Sequence, residues 1–225
     1  MFDLYISPSD QRGNAYAAGG TNEEAQCERI AAAVESAAKR CGINAFANLT
    51  DNMYTKVADA NKRGTRLYMC IHTNAFNEMV SGTRIFCHSF EGEGCKAAVC
   101  VFDELAPVTP GTSENIKENP KLYEIRMTNA PCVYVEVDFH DVDEVALWII
   151  DHTEEIAESI VKGLCKYFGK VYVPATAQLP DMGDVVPRAE YDALMEKYAA
   201  LQRDADELTL DVIKAVEAFN KKKGA

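Results

Sequence analysis

The chain has 225 residues, 48% of them hydrophobic, and a formal net charge of −12, which is enough apolar material for one substantial core plus an appendage. So acidic a chain lacks the basic surface that phosphate backbones require, and it has no general electrostatic attraction to an anionic wall or membrane. No apolar run approaches the roughly 20 residues of a membrane span. Met1-Phe-Asp-Leu-Tyr-Ile-Ser7 reads as a first strand and not as a basic then apolar leader, so the chain is expected to be made in the cytoplasm without a signal peptide.

Strand and helix signals alternate as far as about residue 170. Residues 3–7 form a short strand, and a Gly/Asn/Ser-rich loop follows to Gly20. Thr21 or Asn22 caps a helix with acids in its first turn and an apolar face at Cys27, Ile30, Val34, Ala37 and Cys41, closed by Gly42. A strand over 43–47 and a helix over 53–63 come next, with Tyr54, Val57 and Ala58 turned inward. Further strands are expected over 67–72 and 82–88, then a helix over 93–105. A long loop, 106–120, carries Pro107, Pro110 and Gly111 and is a candidate substrate loop. A strand over 132–138 and a helix over 142–168 complete the series. This alternation, with near-continuous apolar strands, predicts an α/β fold: a mostly parallel twisted sheet with helices on both faces.

Residues 171–187 are Pro-rich and aperiodic and read as a linker. Beyond it, Tyr191, Leu194, Tyr198, Leu201, Ala205, Leu208, Val212, Ala215 and Phe219 alternate steps of three and four. That is the seam of a coiled coil, so 188–225 is expected to be a helical oligomerisation tail behind a catalytic domain of 1–170. Eight cysteines are scattered without a Cys-x-x-Cys pair, which fits reduced structural thiols and not a zinc ribbon.

The chemistry concentrates in two strands. Leu67-Tyr-Met-Cys-Ile-His72 ends in a histidine, and Pro131-Cys-Val-Tyr-Val-Glu136-Val-Asp-Phe-His140 carries an acid within a buried run. Ligands collect at the carboxyl ends of strands in such sheets. Glu23 falls on the buried face of the first helix, a costly place for a carboxylate unless it is paired or metal-bound. Glu23, His72 and Glu136 suffice for a hydrolytic zinc centre that lacks one ligand. Asn74 and Arg84 are candidates to orient ligands or substrate, with an ordinary structural role as the alternative. His88 and His152 read as surface or helix residues, and Asp138 and Asp141 as caps of the helix that follows.

Gly20-Thr-Asn-Glu23, Ile71-His-Thr-Asn-Ala75, Ser81-Gly-Thr-Arg-Ile-Phe86 and Arg126-Met-Thr-Asn-Ala-Pro-Cys-Val-Tyr-Val-Glu136-Val-Asp-Phe resemble the zinc-dependent N-acetylmuramoyl-L-alanine amidases, in consistent order over residues 2–169. The resemblance implies that Zn2+ is held by His72 and Glu23, that Glu136 is the catalytic carboxylate, and that the substrate is peptidoglycan, cut between N-acetylmuramic acid and the L-alanine of the stem peptide. The family's first strand leads into a Gly-His-Gly-Gly turn whose histidine is a ligand. Here that turn reads Ser7-Pro-Ser-Asp-Gln11-Arg-Gly-Asn14, like a divergent branch found in phage endolysins and related enzymes. Gln11 fits the branch pattern through its amide oxygen, Asp10 takes the histidine's place by count, and His140 is a third choice. The expected protein is a phage endolysin or related autolysin that acts at the wall after release and oligomerises through its tail. The alternatives are a non-catalytic peptidoglycan-binding protein with a degenerate metal site, or a coiled-coil assembly component.

Overall fold

Three of the strands are buried on both faces, and they set the architecture. The computed structural model describes residues 1–112, 114–175, 193–198 and 200–201, and the chain divides into the units Met1–Ala175 and Thr176–Ala225. The first unit runs β1 (Phe2–Pro8), α1 (Glu23–Arg40), β2 (Ala45–Ala47), α2 (Met53–Arg63), β3 (Thr65–Asn74), β4 (Arg84–Cys87), α3 (Glu93–Leu105), β5 (Asn115–Glu118), α4 (Tyr123–Met127), β6 (Cys132–Phe139), α5 (Asp143–Asp151) and α6 (Thr153–Phe168). The sheet order is β2-β1-β3-β6-β4-β5. Among the described strands, β4 and β6 pair antiparallel and the other pairs are parallel.

Strand periodicity divides the interior in two. Leu67, Met69 and Ile71 of β3 face a large aliphatic core shared with α1, α3, α5 and α6. Tyr68 and Cys70 face a smaller, aromatic one with Tyr5, Tyr134, Val57 and Ala60 of α2, and Ile125 of α4. Helices therefore cover both faces, as expected. Asn22 caps α1 by accepting from Ala25 N at 3.0 Å, and its buried stripe includes Cys27, Ile30, Val34 and Ala37. Gly42, at φ +73°, follows its end.

Several local expectations differ from what forms. Lys56, Val57 and Ala60 are the buried positions of α2, whereas Tyr54 and Ala58 are exposed. The 106–120 segment contains an edge strand, β5, whose stability comes from pairing with β4 and not from its own weak pattern. Five-residue α4 has no side-chain cap to announce it. The 142–168 helix breaks at His152 (φ −111°, ψ 26°). There the ring Nδ1 donates to Trp148 O at 2.8 Å and the ring stacks on the indole. Because the apolar stripe continues on both sides of the break, the pattern alone reads as one helix.

Tyr172 and Val173, at the start of the expected linker, are packed on the domain: the Tyr172 hydroxyl donates to Glu158, and the Arg40 Nε donates to Val173 O. All eight cysteines are free, seven of them buried. The described tail residues 193–198 and 200–201 are helical, and most of the expected coiled-coil seam lies outside the described residues. Among the described residues no helix is long and apolar enough to cross a membrane.

Close approach of helices to their neighbours sets two glycines. A Cβ on Gly94 would meet Cys132 O at 2.4 Å, and one on Gly163 would meet Cys100 O at 2.4 Å. In an open helix Gly→Ala gains about 1 kcal/mol. At Gly163 the backbone of α3 stands in the way, and Gly163→Ala is expected to lower stability by about 1–3 kcal/mol instead. Urea unfolding midpoints of the parent and variant check this sign.

Candidate active site

Parallel β1, β3 and β6 bring their carboxyl ends to one edge of the sheet. β1 leads into the loop that carries Gln11 and Asn14, and the loop returns to Glu23, the first residue of α1. A carboxylate at that position is favoured by the positive end of the helix dipole. His72 of β3 and Glu136 of β6 are register partners, and a bulge follows immediately between His72 and Asn74. Bulges of this kind redirect side chains beside functional sites.

His72 is the hub. It is 4% exposed and stacks on Tyr134 with 4.4 Å between ring centroids. Its Nδ1 lies 2.9 Å from Glu23 Oε1 and 3.3 Å from the Gln11 amide nitrogen. Asn14 Nδ2 donates to both Gln11 Oε1 (2.9 Å) and Glu23 Oε2 (2.7 Å). On the far side of the ring, Nε2 is 3.6 Å from Glu124 Oε2. Glu124 Oε1 accepts from Ser7 Oγ at 2.6 Å and from Tyr68 OH at 2.8 Å. Below the first-strand turn, buried Lys56 donates from Nζ to Pro8 O at 2.7 Å.

Three carboxylates around one imidazole produce opposing shifts. Burial works against a charged His72, but the contacts of Glu124 and Glu23 and the charge of Glu136 carry it up to about 10. Burial likewise works against charge on Glu23 and Glu124, yet His72 and the other hydrogen-bond donors hold both below the usual carboxylate range. Among the described residues Glu136 has no such donors: burial pushes it up to about 7, against the pull of the His72 and Arg84 charges. Its Oε2 is buried with no hydrogen-bond partner among the described residues.

Gln11, Glu23 and His72 thus meet at one point, with Glu136 beside them. Asp10 and His140 do not join them. Asp10 Oδ2 accepts from Met53 N at 2.9 Å, at the start of α2. The His140 Nδ1 pairs with Thr73 Oγ1 at 2.9 Å and its ring stacks on Tyr16, which belongs to the large core. Asn74 Oδ1 accepts from the next backbone N–H, Ala75 N. The Arg84 guanidinium lies over the Phe139 ring, on the strand position paired with Glu136. Glu124 was not anticipated. Its signal in the sequence is an acid between Leu122 and Ile125, opposite two polar residues, Ser7 and Tyr68, that share a strand face with His72.

Among the described residues no three His, Cys, Asp or Glu side chains are arranged as a metal site. The third donor in this constellation is an amide. An imidazole nitrogen, a carboxylate oxygen and an amide oxygen form a donor set that suits a divalent cation, and a half-turn of the Gln11 amide exchanges its nitrogen for its oxygen. The unpartnered Oε2 of Glu136 stands ready for a further polar group at the same place.

The family model described as N-acetylmuramoyl-L-alanine amidase, Amidase_3, matches residues 9–166, and the chain belongs to that family. The catalytic domain of CwlV, an N-acetylmuramoyl-L-alanine amidase from Bacillus (Paenibacillus) polymyxa var. colistinus, shares the fold with a TM-score of 0.66 and 19% identity, over 75% of this chain and 99% of that one. The catalytic domain of the CD27L endolysin, which targets Clostridia difficile, does so with a TM-score of 0.63 and 21% identity, over 74% and 98%. Uncharacterized protein CPE1502 of Clostridium perfringens is 27% identical over 154 residues, 67% of this chain. The chain spans less than half of that relative, 42% of its length.

Asp138 and Asp141 clamp loops beside this edge instead of capping α5. Asp138 Oδ1 accepts from Gly82 N at 2.6 Å and Phe139 N at 2.7 Å, while Asp141 Oδ2 accepts from Phe76 N and Glu78 N. Asp138→Ala leaves two backbone donors unpaired and is expected to cost about 1–3 kcal/mol. Asp138→Asn, which keeps the accepting oxygen, is expected to cost less than the alanine variant when both are compared by thermal unfolding.

Proposed function

We propose that this chain is a peptidoglycan hydrolase that cleaves the amide bond between N-acetylmuramic acid and the L-alanine of the stem peptide, working with zinc held by Gln11, Glu23 and His72. The observation that carries this reading is the meeting of those three donors beside Glu136 in a chain whose residues 9–166 match the amidase family. Zinc bound there would supply Lewis acidity toward the scissile carbonyl and raise the acidity of a water. Glu136 moves the protons: buried beside the ligand set, with His72 as its register partner, it accepts one from the attacking water and returns it to the departing alanine nitrogen. Asn14 holds Glu23 through its amide nitrogen, and Asn74 and Arg84 are assigned to orienting the substrate.

The turn from Ser7 to Asn14 supports a place among endolysins and related autolysins, with action at the wall after release from the cytoplasm. A second reading, a wall-binding protein without activity, is favoured by one feature, the neutral amide in place of a stronger third ligand.

One set of measurements separates these readings. The full chain is expected to bind zinc in chelator competition, to clear isolated walls and to release alanine amino groups. Glu136→Gln should keep the zinc and lose about 10²–10⁴-fold in rate. His72→Ala should lose both, and Gln11→Ala should weaken zinc binding while Asp10→Ala and His140→Ala retain it. A parent that binds walls and zinc but releases no amines supports the binding-only reading. Walls cleared equally by the parent, Glu136→Gln and His72→Ala would sink the catalytic assignment.

The heptad seam of 188–225 supports a homo-oligomer that brings two or more catalytic domains to the wall, raising avidity where an acidic chain gains none from charge. Light scattering is expected to give a multimeric mass for the full chain and a monomeric one for a 1–175 truncation. Equal monomeric masses exclude the oligomer.

A further inference from the structure

Glu124 has no role in the constellation above, yet it is among the most enclosed acids in the chain, 2% exposed. It sits on a single-turn helix among Ile125, Tyr68 and Tyr134 of the aromatic core. For packing alone an apolar side chain would cost less there, because a buried carboxylate must recover its hydration through donors. The donors are present and ordered. Ser7 and Tyr68, from β1 and β3, direct both hydroxyls at Oε1, which leaves Oε2 facing His72 Nε2 at 3.6 Å. The distance is that of a charge contact and is slightly longer than a hydrogen bond.

The two ring nitrogens of His72 therefore have different neighbours. Nδ1 faces Glu23 and Gln11, and Nε2 faces Glu124. An imidazole that ligates through one nitrogen carries its hydrogen on the other, and the group accepting that hydrogen fixes both the tautomer and the ring's orientation. Stacking on Tyr134 fixes the plane of the ring but not which nitrogen is protonated.

We infer that Glu124 is a positioning residue: anchored by Ser7 and Tyr68, it holds the hydrogen of His72 on Nε2 and so presents the Nδ1 lone pair to the ligand set formed with Glu23 and Gln11. The inference rests on the zinc reading proposed above and adds to it a residue that touches neither the metal nor the substrate.

The test uses the full chain and two readouts other than activity. Zinc affinity is measured by chelator competition, and long-range ¹H–¹⁵N spectra of the zinc-loaded protein report the protonation of each ring nitrogen of His72. Glu124→Gln keeps the shape of the side chain and still accepts from Ser7 and Tyr68. It is expected to weaken zinc binding about 10–100-fold and to shift the Nε2–H resonance. Tyr68→Phe removes one anchor from Glu124 and is expected to lower affinity about 3–10-fold, a smaller share of the same effect; it carries the measurement if Glu124→Gln does not fold. Zinc binding within twofold of the parent in both variants, while His72→Ala has lost it, overturns the role of Glu124 and leaves the zinc reading standing. A parent that binds zinc no better than His72→Ala overturns the zinc reading, and the role of Glu124 with it.

Discussion

The pairing of His72 with Glu23 across the sheet edge is the constraint on which the rest of this domain turns. Both groups are almost fully buried, at 2.9 Å, and neither would be tolerated there alone, because an uncompensated buried charge costs several kcal/mol. Their meeting requires that α1 begin at the carboxyl end of β1, so the intervening loop must turn back sharply. It is pinned for that purpose. Ser9 N donates to Ile71 O, Glu23 N donates to Asn14 O, and Ala15 forms a bridge with Asn22. Lys56 ties Pro8 to α2 from beneath. Rigidity of the loop and placement of the carboxylate follow from the same bonds.

The two cores divide the work. The aliphatic core against α1, α3 and α6 is apolar and tightly packed, and a helix glycine at 163 lets backbones come into direct contact. The opposite, aromatic core tolerates polar atoms because tyrosines bring hydroxyls to its boundary. Tyr5 and Tyr68 stack at 5.5 Å. The Tyr5 hydroxyl donates to Asp59, and the Tyr68 hydroxyl serves Glu124. Polar chemistry at the sheet edge can thus continue inward by one layer without leaving orphaned groups.

Much of this was legible in the sequence because it follows from period and position. The buried stripe of α1 singled out Glu23 over Glu24, and strand alternation put His72 and Glu136 on one face; the register of β3 with β6 then makes them neighbours. What was not legible depends on pairing across distance. β5 is held by β4, α4 by the core it covers, and the bend at His152 by a ring that bonds and stacks on Trp148. Counting along the turn could not separate Asp10 from Gln11. The direction of each side chain depends on whether α2 or β3 offers it a partner, and Met53 N claims Asp10. His140 has the strand parity of Glu136, but the register shift beyond His72 breaks the alternation, and its ring stacks on Tyr16 of the large core.

The charge balance explains why a neutral third donor is compatible with this edge. Glu23, Glu124 and Glu136 place three acids around His72, and the positive partners nearby are the ring itself, Lys56 and Arg84. With His72 carrying a proton, the imidazolium offsets Glu23 and Glu124, and Glu136, left without donors, rises to about 7. On the proposed reading a divalent cation takes over the role of that proton, and one carboxylate among its ligands, with two more close by, already supplies ample negative charge. A further anion at position 11 would deepen the repulsion among acids that the fold has few donors left to relieve. An amide contributes an oxygen without adding charge, and that oxygen lies beside Asn14, which donates to it and to Glu23 alike.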